Sequence, residues 1–378
     1  MINPGAASGM KVPFVDLYAQ YQTIRSEIDA AIAEVITESA FVRGRHVESF
    51  EQAWARTLGM RHCVSCANGT DALYITMRGL RLKPGDEVVT TAHSWIATSE
   101  TITQAGGRVV FCDTDSDTFT INPALIESKI TSRTVGIIPV HLYGQSADMD
   151  DIMAIAAKHK LWVIEDCAQA HLARFNGRLV GTFGNAATFS FYPGKNLGAY
   201  GDAGCIVTND DSLADWTATF ARHGGKGDHV MEGINSRLDG LQAAILNVKL
   251  PHLADWTEAR RRVASRYDEM LGGVGDIVTP KIGRNRDHVY HLYVIRTGKR
   301  DALKKHLADA GIATVLNYPK ALPFYPAYAY LGHKPADFPV AYANQSRILS
   351  LPIYPEISDE MIEWVAKQAE DFFKETNS

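Results

Sequence analysis

The sequence predicts an α/β fold, with a mostly parallel sheet between helices followed by a smaller C-terminal α/β domain. Three observations carry that reading. Short apolar segments alternate with helix-like segments over roughly 150 residues. The apolar segments are near-continuous runs, as expected of strands buried on both faces. After about Leu250 the texture changes to a long charged helix and then a Pro- and Tyr-rich stretch around Tyr318–Tyr330.

The elements follow in order. Ile24, Ile28, Ile32, Val35 and Ile36 recur at helical spacing. Strands are expected at Cys63–Cys66, Val88–Thr91, Val109–Cys112, Val135–Val140, Leu161–Glu165, Ala187–Phe191 and Cys205–Thr208. Gly106-Gly107 closes a helix, and Asn122-Pro123 opens one with a cap and a proline at its first position. Met149–Lys158 is an Ala- and Ile-rich helix, and two more are expected at Trp256–Leu271 and Met361–Phe373. These divide the chain into a tail (1–11), a large domain (12–250) and a small domain (251–378).

Composition excludes several functions. The chain has 378 residues, 46% of them apolar, and a formal charge of -5, which gives no basic field to hold a nucleic acid polymer. A small anion remains possible, since local geometry can bind a phosphate whatever the net charge. The cysteines (Cys63, Cys66, Cys112, Cys167 and Cys205) are odd in number and scattered, which argues for buried thiols in a reducing, cytoplasmic setting. Cys63 and Cys66 form a lone C-x-x-C without a second pair at zinc spacing, and no metal is expected. MINPGAASGM lacks the pattern of a signal peptide, and no apolar run reaches the roughly 20 residues of a membrane span.

Three segments carry chemistry. In FSFYPGKNLGAYGDAGC, Lys195 sits in a glycine-rich turn directly after an apolar strand. A phosphate-binding P-loop fails there, because its earlier glycine would be Phe189 and Asn196 replaces the Ser/Thr. What remains is a solvated loop lysine or a buried amine suited to Schiff-base chemistry. In LWVIEDCAQAH, a strand delivers Glu165, Asp166, Gln169 and His171 to its C-terminal end, where open α/β sheets bind ligands. The plainer alternative is an Asp capping the next helix. In CVSCANGTDALYITMRGL, a strand runs through Asn68-Gly69-Thr70 into a helix, whose free N–H groups make either an anion site or a simple turn. A phosphate cradle, an acid at a strand end and a lysine after a later strand together suit pyridoxal phosphate. No G-x-G-x-x-G follows the first strand, which argues against a nicotinamide enzyme.

These residues resemble the DegT/DnrJ/EryC1/StrS sugar aminotransferases, a branch of fold-type I pyridoxal-phosphate enzymes. The resemblance runs from VPFVDL to SLPIYPEIS, through CANGTDAL, PVHLYGQ, VIEDCAQAH, FSFYPGKNLGAYGDAG and GINSRLDGLQAAIL in family order. It implies that Lys195 forms the Schiff base and then moves the proton between carbon centres, with pyridoxamine phosphate arising during turnover. It implies that Asp166 pairs with the pyridinium nitrogen and Gln169 approaches the phenolic oxygen. Gly69, Thr70 and Ser190 would bind the phosphate, and Trp95 would stack on the ring unless it is a core tryptophan. Asn235 would reach the cofactor of a neighbouring subunit, which implies a homodimer with shared sites. A family branch that dehydrates its substrate has histidine at the lysine position, so Lys195 favours amino transfer. The implied substrates are glutamate and a nucleotide-linked keto sugar, and FYPGKNLGAYGDAG is more similar to members acting on 3-keto than on 4-keto sugars. Arg222, His223 and Lys226 are either a diphosphate site or a solvated basic loop. LNYPKALPFYP (316–326) follows the family pattern only loosely.

Overall fold

The computed structural model describes residues 10–225 and 227–377. The proposed tail, residues 1–11, therefore falls mostly outside the described residues, as does Lys226.

All seven expected strands form, and they join one sheet. They are β1 (His62–Cys66), β2 (Glu87–Thr91), β3 (Arg108–Cys112), β4 (Thr134–Ile138), β5 (Trp162–Asp166), β6 (Ala186–Ser190) and β7 (Gly204–Thr208). Their order is β1-β7-β6-β5-β4-β2-β3. Neighbours from β6 through β3 run parallel, while β7 is antiparallel to both β1 and β6. Six strands begin one residue earlier than expected, three of them at the polar residues Glu87, Arg108 and Thr134, and β5 begins one later at Trp162. Polar groups are tolerated at these ends when they are paired: Glu87 accepts from Arg133 Nε at 2.9 Å and from the Thr131 hydroxyl at 2.5 Å. The fourth strand stops at Ile138 rather than Val140, because Pro139 has no N–H to give the ladder.

Both faces of this sheet are covered. Along β6 and β7, Ala187, Phe189, Cys205 and Val207 pack into one cluster, with Phe50 and Trp54 of the helix Arg45–Leu58. Their neighbours Ala186 and Ile206 pack into another, with Ala72 and Ile75 of the helix Gly69–Gly79. Val88 and Val89 split between clusters in the same way, as do Ile137 and Ile138. Burial of alternate residues on opposite sides is the period-two geometry of a sheet between layers. All five cysteines are unpaired and buried.

A further core gathers Val12, Tyr267, Tyr293, Leu307, Leu351 and Val365. It contains an antiparallel pair, β8 (Tyr293–Arg296) with β9 (Ile348–Leu351), packed by the helices Leu253–Leu271, Arg300–Asp309 and Asp359–Asn377. No helix among the described residues is long and apolar enough to cross a membrane.

Candidate active site

One cavity of about 670 Å³ opens at the C-terminal ends of β5 and β6. It gathers Gly69, Thr70, Trp95, Asp166, Gln169, Ser190 and Lys195, seven of the eight residues singled out from sequence. The eighth, Asn235, is exposed and does not line the cavity of its own chain. Neither do Arg222 and His223.

Lys195 projects from a loop that leaves β6 and folds back on itself. The Lys195 amide donates to Tyr192 O at 2.8 Å, and the Ala199 amide donates to Phe191 O at 2.8 Å. The loop is tight enough that a Cβ on Gly198 would lie 2.3 Å from Pro193 O. Lys195 is half-buried as a residue, yet its amine sits deep in the cavity. Burial lowers its pKa from 10.5 to about 8, although the nearby Asp166 carboxylate pulls the other way. At pH 8 half of such an amine is free, against roughly one part in 300 for an ordinary lysine.

Asp166 ends β5 and is buried. Its Oδ2 accepts from the Thr98 hydroxyl at 2.8 Å and its Oδ1 from the Ala168 amide at 3.2 Å. Burial raises its pKa, opposed by those two hydrogen bonds and by Lys195 and His141. No helix follows Asp166, so it does not serve as a helix cap. Gln169 lies beyond it. Its Oε1 accepts from the Tyr143 amide at 2.7 Å and its Nε2 donates to the Tyr318 hydroxyl at 2.8 Å. One N–H of that carboxamide is left for a ligand.

The anion cradle is built by close approach. Asn68 caps the helix Gly69–Gly79, its Oδ1 taking the Asp71 amide and its carbonyl the Ala72 amide. That leaves the amides of Gly69 and Thr70 for an incoming anion. A Cβ on Gly69 would lie 2.7 Å from Ser190 Cβ, and one on Gly204 would lie 2.3 Å from the Asn68 carbonyl carbon. Two glycines thus let the strand ends and the helix start converge on one point. Trp95 is 56% exposed at the cavity, with its ring 5.5 Å from that of Tyr318. It is not a core tryptophan. A phosphate at Gly69, Thr70 and Ser190, a ring beside Trp95, a ring nitrogen at Asp166 and an aldehyde at Lys195 fit the donor set that is present.

One expectation needs correcting. Glu165 and His171 do not share the site with Asp166. Adjacent strand residues point to opposite faces, and Glu165 accepts instead from the amides of Gly181, Phe183 and Gly184 and pairs with His141 Nε2 at 3.1 Å. His171 is buried among Trp54, Phe189 and Phe191. The fold also makes a cluster from distant parts of the sequence: His141, Glu165 and Cys167 bring ligand-type atoms within 4.8 Å of one another. The Glu165 oxygens are occupied by those hydrogen bonds, and His141 Nδ1 accepts from the Ala147 amide at 3.0 Å. The arrangement is a buried brace between loops.

Ser94, Thr98, Tyr192, Asp202 and Tyr318 also line the cavity and were not read from the sequence. Thr98 had a signal: it stands in the first turn of the helix Ala97–Gln104 that follows Trp95, and its amide donates to Trp95 O at 3.2 Å. Tyr318 had none, being 149 residues from Gln169. Thr98→Val should raise the Asp166 pKa further by removing a bond worth about 1.5–3 kcal/mol to the carboxylate. Thr98→Ser should preserve it. Carbon-13 NMR titration of the carboxyl carbon checks this, and unchanged titration in Thr98→Val would refute the role.

The DegT/DnrJ/EryC1/StrS aminotransferase family model matches residues 22–370. The chain belongs to this family. Among similar relatives, one from Geobacillus stearothermophilus named a pleiotropic regulatory protein is 47% identical, over 97% of this chain and 99% of its own. A UDP-N-acetyl-3-dehydro-alpha-D-glucosamine 3-aminotransferase of Acidithiobacillus ferrooxidans is 42% identical, over 94% of this chain and 96% of its own. The solved structure of DesV from S. venezuelae in complex with a ketimine intermediate superposes with a TM-score of 0.94. It shares 39% identity and covers 96% of this chain and 99% of that one. The fold is therefore that of this aminotransferase family, with the family's motifs VIEDCAQAH and FSFYPGKNLGAYGDAG supplying the floor of the cavity.

Proposed function

We propose that the protein is a pyridoxal-phosphate-dependent aminotransferase that moves an amino group from glutamate to C-3 of a nucleotide-linked keto sugar. The observation that carries this reading is the Lys195 amine, lowered to a pKa of about 8, facing the same cavity as Asp166 and the Gly69–Thr70 cradle. The chemistry supplied by pyridoxal phosphate, when bound, is an aldehyde that carries the amino group and a ring that accepts electron density.

The chain's own residues do the rest. Gly69, Thr70 and Ser190 would hold the phosphate, and Trp95 would lie against the ring. Asp166 would hold the ring nitrogen in its protonated form, and the remaining Gln169 N–H would serve the phenolic oxygen. The Lys195 amine would anchor the aldehyde and, as a base, would move the proton of the substrate carbon. The 3-keto assignment is supported by the Acidithiobacillus relative's name and by the FYPGKNLGAYGDAG stretch. A cytoplasmic location is supported by the five unpaired thiols.

The active form we infer is a homodimer with Asn235 reaching the partner subunit's cofactor. Asn235 is exposed and lies outside its own cavity, and Ile36, Phe41 and Val42 present exposed apolar surface. Sedimentation should give twice the chain mass, and a monomer with full activity would refute the shared site.

A second reading, a regulatory protein without catalysis, is favoured by the name of the Geobacillus relative. One assay separates the two. With glutamate and a panel of dTDP- and UDP-linked 3- and 4-keto sugars, an aminotransferase releases one 2-oxoglutarate per amino sugar. A sister dehydratase or lyase would consume the sugar without releasing 2-oxoglutarate. A colourless purified protein that takes up no cofactor would favour the regulatory reading.

A further inference from the structure

Lys249 ends the helix Gly240–Lys249, is 1% exposed, and has no part in the reaction described above. Its Nζ donates to Gly198 O at 2.8 Å and lies 4.4 Å from the centre of the Tyr200 ring. Among the described residues no carboxylate stands within ion-pair distance of it, although Glu356 favours its charge from farther away. Burial lowers its pKa to about 8. A buried ammonium with a single hydrogen bond is an unfavourable core residue, and an apolar side chain of similar length would fill the space without that penalty. Packing alone does not account for a lysine at this position.

What it touches is informative. Gly198 lies three residues after Lys195, on the returning limb of the loop that carries the amine. The same helix holds that limb at a second point, since Gln242 Oε1 accepts from the Tyr200 amide at 2.8 Å. Gln242 and Lys249 are seven residues apart, two helical turns, and so share a face. On the other side, Asn196 Nδ2 donates to Val289 O at 2.9 Å and Asn196 Oδ1 lies 3.2 Å from His291 Nδ1. The loop is clamped from both sides, and Lys249 is the charged member of the clamp.

We propose that Lys249 is a positioning residue: through the Gly198 carbonyl it fixes the Lys195 loop and so sets how deeply the Lys195 amine sits in the cavity. This rests on the reading of Lys195 as the amine that captures the cofactor aldehyde.

The test compares native full-length protein with Lys249→Met and Lys249→Arg. Two quantities are read: thermal unfolding without cofactor, and the pH dependence and affinity of pyridoxal phosphate capture by absorbance. Asp166 in the cavity, and His171 and His291 behind it, which feel the Lys195 charge through space, are intact in all three. Lys249→Met is expected to unfold at the native temperature or higher. Its capture midpoint should rise from near 8 toward the ordinary lysine value, with affinity down about tenfold. Lys249→Arg should recover part of both. Native capture in Lys249→Met, or a lowered unfolding temperature with capture unchanged, overturns the proposal. If Lys249→Met does not fold, Lys249→Gln replaces it and the same two readouts decide. If native protein captures no aldehyde at Lys195, the underlying reading fails instead.

Discussion

Lys195→Ala is expected to abolish amino transfer, with the rate falling by at least about 10⁴-fold, because two functions are lost together. General base catalysis alone contributes about 10²- to 10⁴-fold. The covalent anchor proposed at the same amine is lost with it. The measurement is glutamate-dependent release of 2-oxoglutarate, paired with borohydride reduction and peptide mapping of native protein. The reduced adduct should map to position 195 and vanish in the variant. Retained activity, or an adduct at another lysine, would refute the assignment. The pH profile adds an independent check on the same group. Aldehyde capture requires the neutral amine, so its rate should rise with pH through a midpoint near 8 and then level off. An unburied lysine would still be climbing at pH 10.

The strands were legible because strands buried on both faces leave continuous apolar runs, and no polar residue interrupts Val88–Thr91 or Val135–Ile138 except threonine and glycine. Asp166, Gly69 and Lys195 were legible because each stands where a strand gives way to a turn, and that edge of the sheet is where ligands bind. Glu165 shows a signal that was available and unused. It precedes Asp166 in the same strand, so the period-two rule already places its side chain on the opposite face. His171 was out of reach of that rule, since its burial depends on Trp54 and Phe191, which come from distant parts of the chain. Tyr318 and Lys249 were unreadable for the same reason. Each acts through a contact with a loop far away in sequence, and neither leaves a local pattern.

Asp166→Asn should separate binding from chemistry. Asparagine keeps the shape and can still accept from the Thr98 hydroxyl, so the cavity is retained, but it cannot hold a positive ring nitrogen. Loss of such an electrostatic partner costs about 10²- to 10³-fold in turnover. Aldehyde capture should move the other way. The Asp166 carboxylate favours the charged Lys195 amine, so its removal drops the Lys195 pKa below about 8 and frees more amine at neutral pH. Stability without cofactor should not fall. Burial raises the folded pKa of Asp166 above its ordinary value, so whatever it contributes to stability is present at low pH and lost as pH rises through that folded value. Above that folded value the ionised carboxylate is a burden on the apo-fold, and asparagine relieves it. Slower turnover with readier aldehyde capture and an unfolding temperature at or above native is therefore the expected combination. A variant that turns over normally would remove Asp166 from the reaction, and one that loses capture and stability together would make it a structural residue.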